Sequence, residues 1–86
     1  MDISKTLTDL ADLYKRTDDE IHEDLKKADM LSGAPANAAN TALAITLQIS
    51  IERKKAWLNG VDATLKAIGV RQLRTSDGSM VYPVTQ

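Results

Sequence analysis

The chain has 86 residues, with 11 basic against 12 acidic side chains and a formal net charge of −1. That length holds one small domain with a thin stability margin of its own, and the charge balance argues against a nucleic-acid binder, which is distinctly basic. Cys is absent, which excludes a disulfide framework, a thiolate metal site and a cysteine nucleophile. Eleven Ala, ten Leu and six Ile stand beside no Phe, one Trp and two Tyr. This is a helix-former's composition, poor in the large anchors of a compact small core.

Residues 2–31 read as one amphipathic helix. Ile3, Leu7, Leu10, Tyr14, Thr17, Ile21, Asp24, Ala28 and Leu31 follow a 4-3 spacing that sets them on one face. Leu13 and Leu25 broaden the stripe, while Thr17 and Asp24 weaken it. Lys26 and Lys27 are expected in the last turn, where positive charge suits the helix dipole. Ser32-Gly33-Ala34-Pro35 then breaks the chain over 32–35, with Pro35 suited to the first turn of the next helix.

Residues 36–68 read as the second helix, with a main stripe of Leu43, Leu47, Ile51, Leu58, Val61, Leu65 and Ile68. Lys54 falls inside that stripe. Gly69-Val70 predicts a Schellman ending in which Val70 reaches back to Leu65, and Lys66 is well placed for the dipole. Residues 43–51 also alternate with period two, a strand signal, which leaves helix and strand both open there. Asn59-Gly60 is a candidate kink. The tail 70–86 changes character: Gln72 to Thr75, then Ser76-Asp77-Gly78-Ser79, then Met80-Val81-Tyr82 is a hairpin signal with Asp-Gly at the turn. Such a hairpin is marginal alone, so it is expected to pack on this chain or on a neighbour.

The expected fold is therefore mainly α: a single domain over 1–86 built as an antiparallel, coiled-coil-like two-helix hairpin, with a short C-terminal β-hairpin or extended tail. Folding about residue 34 sets Leu10 opposite Leu58, Leu7 opposite Val61 and Ile3 opposite Leu65. Lys54 then lands beside Tyr14 and within reach of Asp18. Residues 1–29 carry net −4 and residues 30–86 net +3, which favours the hairpin weakly.

The second helix has another apolar face, made of Ile45, Ile49, Ala56, Ala63 and Ala67. A helix apolar on two sides wants two partners, and the chain supplies one. The expected partner is the chain itself, in a homo-oligomer, with other assembly proteins as further candidates; the alternative is a monomer with the 70–86 hairpin folded over this face. Trp57, at the edge of the main stripe, is either a core residue or an interface anchor.

No residue set reads as catalytic, cofactor-binding or metal-binding, so no enzyme and no cofactor are expected. His22 stands three or four residues from Asp18 and Asp19, a metal-ligand spacing, but lies in an acidic run that reads as a solvated face. The carboxylates there have no cleft. Arg53-Lys54-Lys55, flanked by Glu52, reads as a solvated helix turn. No apolar run approaches the ~20 residues of a membrane span, and the first helix's acidic polar face has the wrong sign for anionic lipid. Met1-Asp2-Ile3-Ser4-Lys5 lacks a signal-peptide layout. The expectation is a cytoplasmic or virion-associated protein, or one exported by a dedicated secretion system.

Leu47-Gln48-Ile49-Ser50-Ile51, Ala56-Trp57-Leu58-Asn59 and Thr64-Leu65-Lys66-Ala67-Ile68, with the Pro35-Ala36-Asn37 turn, resemble the loop and C-terminal helix of type III secretion needle subunits over residues 35–68. The resemblance implies a helical filament around a narrow channel, with Asn59 and Lys66 as lumen-facing polar residues. Needle subunits have Lys-Asp after the Ile, where Gly69-Val70 stands here. The segment Val70 to Tyr82 is similar to the hairpin of small phage head–tail joining proteins, although no helix follows it. A monomeric helical binding module, such as an inhibitor or chaperone, is the alternative from another class.

Overall fold

The computed structural model describes residues 3–82. Asp2, the first residue of the expected helix, and 83–86, the end of the expected tail, lie outside the described residues. Helix α1 runs Ile3–Ser32 and helix α2 Ala38–Ala67. Strands β1, Leu73–Arg74, and β2, Met80–Tyr82, pair antiparallel, with Leu73 opposite Tyr82, Arg74 opposite Met80 and a bulge between the two pairs. The two helices pack against each other along a body 51 × 27 × 25 Å in extent.

The first helix ends later and the second begins later than their patterns suggest. α1 continues to Ser32, whose hydroxyl donates to the Asp29 carbonyl at 2.6 Å, so Lys26 and Lys27 are not in its last turn. α2 does not start at residue 36 with Pro35 in its first turn. Asn37 is the N-cap, with extended backbone (φ −147°, ψ 169°) and a side chain that accepts the Asn40 amide at 2.8 Å. Asn is among the best residues for satisfying the free N–H groups of a first turn. The Asn40 side chain also donates to the Pro35 carbonyl at 2.8 Å, fixing the connector beside the new helix.

At its other end α2 closes with the expected Schellman motif. The Val70 amide donates to the Leu65 carbonyl at 2.9 Å and the Gly69 amide to the Lys66 carbonyl at 3.3 Å. Gly69 takes φ +80°, a left-handed conformation that costs a residue with Cβ about 1–2 kcal/mol. Helix α2 runs through Asn59-Gly60 without a break. Residues 43–51 are helix. Their period-two alternation comes from a helix apolar on two opposite sides: Leu47 and Ile51 are buried while Ile45 and Ile49 are exposed.

The helices are staggered, which overturns the expected register. Lys54 lies against Asp24 and Glu20, not beside Tyr14 and Asp18, and the Tyr14 hydroxyl donates to Asp62 at 2.8 Å. Tyr14 therefore meets α2 about two turns further on than the expected pairing of Leu10 with Leu58, Leu7 with Val61 and Ile3 with Leu65 requires. The extended connector carries the chain beyond the end of α1 before it reverses. Continuing the observed register sets Ser32 opposite residues 42–46, so the first turns of α2 have no α1 beside them. Leu43, placed in the main stripe by its spacing, is for that reason 49% exposed. Ile3 and Ile68, the other ends of the two stripes, are exposed as well.

The core has two parts. Tyr14, Ile21, Ile51 and Leu58 pack between the helices, with Val61 and Val81 against them. Ala11, Leu65 and Leu73 form the second part where the β-hairpin closes over the helix ends, joined by Leu7, Val70 and Tyr82. The tail thus packs on its own chain. Asp-Gly does mark the turn and β2 matches the expected Met80–Tyr82, but β1 is shorter than the sequence signal and the loop is five residues, Thr75 to Ser79. Gly78 sits at φ +90°. The Asp77 carboxylate accepts the Thr75 hydroxyl and, at 3.0 Å, the Ser79 amide. Asp12 on α1 accepts the Ser76 amide at 2.9 Å, and Lys15 faces Asp77 at 3.7 Å, which pins the turn to the helix.

Candidate interaction surface

One buried polar group interrupts the apolar seam between the helices. Asp24 is buried, and its carboxylate accepts the Lys54 ammonium and the Ser50 hydroxyl, each at 2.9 Å. Glu20 supports the same ammonium at 3.3 Å from the more exposed side. Hydrogen bonding from Lys54 holds the Asp24 carboxyl below its ordinary range, against the opposing effect of burial. The hydrogen bond to Asp24 likewise holds the Lys54 ammonium above its own ordinary value. The two charged residues that interrupted the apolar stripes thus neutralise each other. Burial, with the Asp62 bond second, pushes the Tyr14 phenol well above its usual value. At the turn, the Thr75 hydroxyl and then the Ser79 amide push the Asp77 carboxyl down. Each of these groups has a partner inside the chain; Tyr14 and Asp62 also line a groove of about 440 Å³ with Asp18, His22, Lys55 and Asn59.

His22 is exposed, with Nδ1 2.8 Å from the Asp18 carbonyl oxygen and 3.7 Å from its carboxylate. Among the described residues no group of three or more His, Asp or Glu side chains could hold a metal ion, and no helix is long and apolar enough to cross a membrane.

The unused surface is apolar and belongs mostly to α2. All five residues of the expected association face, Ile45, Ile49, Ala56, Ala63 and Ala67, are exposed. Ile45 is 57% and Ile49 48% accessible, values far from those of a core position. Neither α1 nor the β-hairpin covers this side. Asn59 and Lys66 are also exposed, on the flank of α2 between the core seam and the association face.

Trp57 is 37% exposed and lies on the opposite flank. Its ring lines a groove of about 460 Å³ with Leu10, Gly60, Val61 and Thr64, and a second groove with Leu13, Thr17 and Arg53. Trp57 is therefore a groove wall and not a core residue. A third groove, of about 430 Å³, lies at the connector between Leu31, Pro35, Ala44 and Ile45.

Spacing alone did not point to the grooves, because they depend on the helix stagger. A sequence signal for the tip does exist. All 11 basic and 12 acidic residues lie outside residues 30–51. Charged side chains are depleted at the centres of protein interfaces, and the charge-free segment coincides with the exposed Leu43, Ile45 and Ile49.

No family model, curated protein or solved structure matches the chain. The resemblance to needle subunits accordingly rests on the residues of 35–68 themselves.

Proposed function

We propose that the protein is a non-enzymatic helical subunit that works by binding further copies of itself. One observation carries this reading: Ile45 and Ile49 stand exposed on the side of α2 away from α1, inside a segment without charge. Burying the half of each side chain that is still exposed is worth roughly 1 kcal/mol. A core made of two helices and a small hairpin gains more from a neighbour than a large domain does. The near-zero net charge does not oppose association. If the needle-like resemblance extends to assembly, the product is a filament; if the phage-like one does, it is a closed ring.

The test is light scattering of the pure protein across a concentration series, with negative-stain images of the same samples. Mass that rises with concentration is expected. Ile49→Asp should abolish that rise while leaving the helical circular dichroism of the hairpin unchanged. A single monomer mass at all concentrations would overturn the reading.

A second reading has its own observation. The groove between Leu10, Trp57 and Gly60 has an aromatic wall and an apolar floor, the setting in which a partner's amphipathic helix docks. In that case Trp57→Ala, and not Ile49→Asp, removes binding.

A further inference from the structure

The outer side of α2 has an internal match that only a second copy can use. At ~100° per residue, positions 42, 45, 49, 56, 60 and 63 lie opposite the buried Leu47, Ile51, Leu58 and Leu65. All six are exposed. The midpoint of Ala38–Ala67 falls between Glu52 and Arg53. Counting outward from it in both directions, Ile49 has Ala56 as its counterpart and Ile45 has Gly60. Ala42 and Ala63, then the helix ends, continue the series with small residues on both sides. A copy of α2 turned end for end therefore sets its two large residues against the two smallest sites of this face.

Gly60 is the second observation. A glycine in a helix interior costs roughly 0.5–1 kcal/mol relative to alanine. Here it has no positive φ, and a Cβ built on it meets nothing within 4 Å. Nothing inside the protomer requires glycine at this position. In a copy of α2 turned end for end, Ile45 is the residue that falls opposite it.

We propose that α2 packs against α2 of a second copy in an antiparallel, two-fold arrangement centred between residues 52 and 53, with Ile49 on Ala56 and Ile45 on Gly60. This rests on the self-association reading and adds its geometry. A closed two-fold contact makes the dimer the first unit of any larger assembly. The charges on the face, Glu52 and Arg53 of each copy, meet at the axis as a neutral group of four. A parallel pair would instead set each Glu52 beside the other copy's Arg53. Exposed ion pairs contribute only about 0–1 kcal/mol, however, whereas parallel packing stacks Ile on Ile and leaves Gly60 facing Gly60. Filling the small sites with the large side chains decides for the antiparallel pair.

The absence of Cys makes the test direct. Ile49→Cys and Ala56→Cys are prepared as separate variants and oxidised alone and as an equimolar mixture. Facing positions fall within the Cα separation a disulfide spans, whereas two copies of residue 49 stand about 10 Å apart along the axis. A covalent dimer is expected from the mixture and not from either variant alone. Covalent dimer from Ile49→Cys by itself overturns the antiparallel register in favour of the parallel one. No covalent dimer from any sample, while the wild type still shows a mass above the monomer, removes this face but leaves self-association standing. A wild type that is monomeric throughout overturns both. Gly60→Leu, read by light scattering, should leave the helical signal intact and weaken association at least tenfold. Unchanged association there overturns the proposal as well.

Discussion

The two ends of the hairpin differ in how many elements surround each apolar residue. At the strand end, Leu65 has α1 on one side and β1 on another, and it packs with Ala11 and Leu73 to 2% exposure. At the connector end, α2 has outrun α1 at Leu43, while Ile45 and Ile49 face away from α1, and all three are as apolar as Leu65 but half uncovered. The difference lies in topology, not in composition. The β-hairpin supplies a third surface at one end, held by Asp12 on Ser76 and Lys15 on Asp77, while at the other end the overhang uncovers Leu43 and nothing covers the outer side of α2. Stability is therefore concentrated at the strand end, and the connector end is left uncovered.

The largest effect expected from this contrast is on folding. Leu65→Ala opens a cavity in the best-packed part of the core and should cost about 2–5 kcal/mol. Ile45→Ala removes a side chain already mostly in water and should cost the monomer less than about 1 kcal/mol. Urea denaturation at low protein concentration compares the two directly. Similar losses would show that the connector end contributes to the monomer's stability as much as the strand end does.

Between the ends, Tyr14 bridges the helices through Asp62. Tyr14→Phe keeps the ring in the core and removes the bond to a carboxylate, with an expected loss of about 1–2 kcal/mol. The phenol is pushed above its usual value in the folded protein. Its contribution is thus full below an unfolded pKa of about 10 and fades as pH rises through the folded value. The Phe variant should show a weaker alkaline decline. If wild type and variant decline alike above pH 10, the Tyr14–Asp62 bond is not a stability determinant.

Asp24 works in the opposite pH range. Its folded carboxyl titrates below the unfolded value of about 3.9, so its contribution is complete above that value and is lost as pH falls through the lowered one. Asp77 has the same sign at the strand end. Asp24→Asn should lower stability at pH 7 and flatten the acid side, so that variant and wild type converge as pH drops. Thermal melts from pH 7 to pH 2 would show it, and a constant offset across that range would remove the buried pair from the account.

Asp24 and Lys54 also show how far the sequence could be read. Each was visible as a charge out of place on an apolar stripe, and a buried carboxylate needs a partner. Which partner depends on the stagger, and the stagger depends on the connector. Pro35 suits the first turn of a helix, a local preference that concealed the cap at Asn37 two residues later. The later helix start accounts for only two residues of the two-turn offset; the rest is the overhang of α2 beyond the end of α1, which leaves Leu43 half exposed. The helices, the Schellman ending and the Asp-Gly hairpin follow local rules and were legible. The docking of that hairpin on α1 joins residues more than sixty apart in sequence, Asp12 and Ser76, which no local pattern encodes. The second apolar face of α2 was legible as a period. The Trp57 groove was not, because its walls come from both helices.

The smallest predicted change separates the two ends most sharply. Gly60→Ala adds one methyl to the exposed side of α2 where the protomer has open space. In the isolated monomer it should raise stability by roughly 0.5–1 kcal/mol, because alanine loses less freedom in a helix than glycine. In an antiparallel pair the same methyl enters the site that receives Ile45 of the second copy, and the association constant should fall. Dilute melts and concentrated light scattering therefore move in opposite directions for one substitution. If both rise, Gly60 is only a weak point in the helix, and the size match along α2 plays no part in assembly.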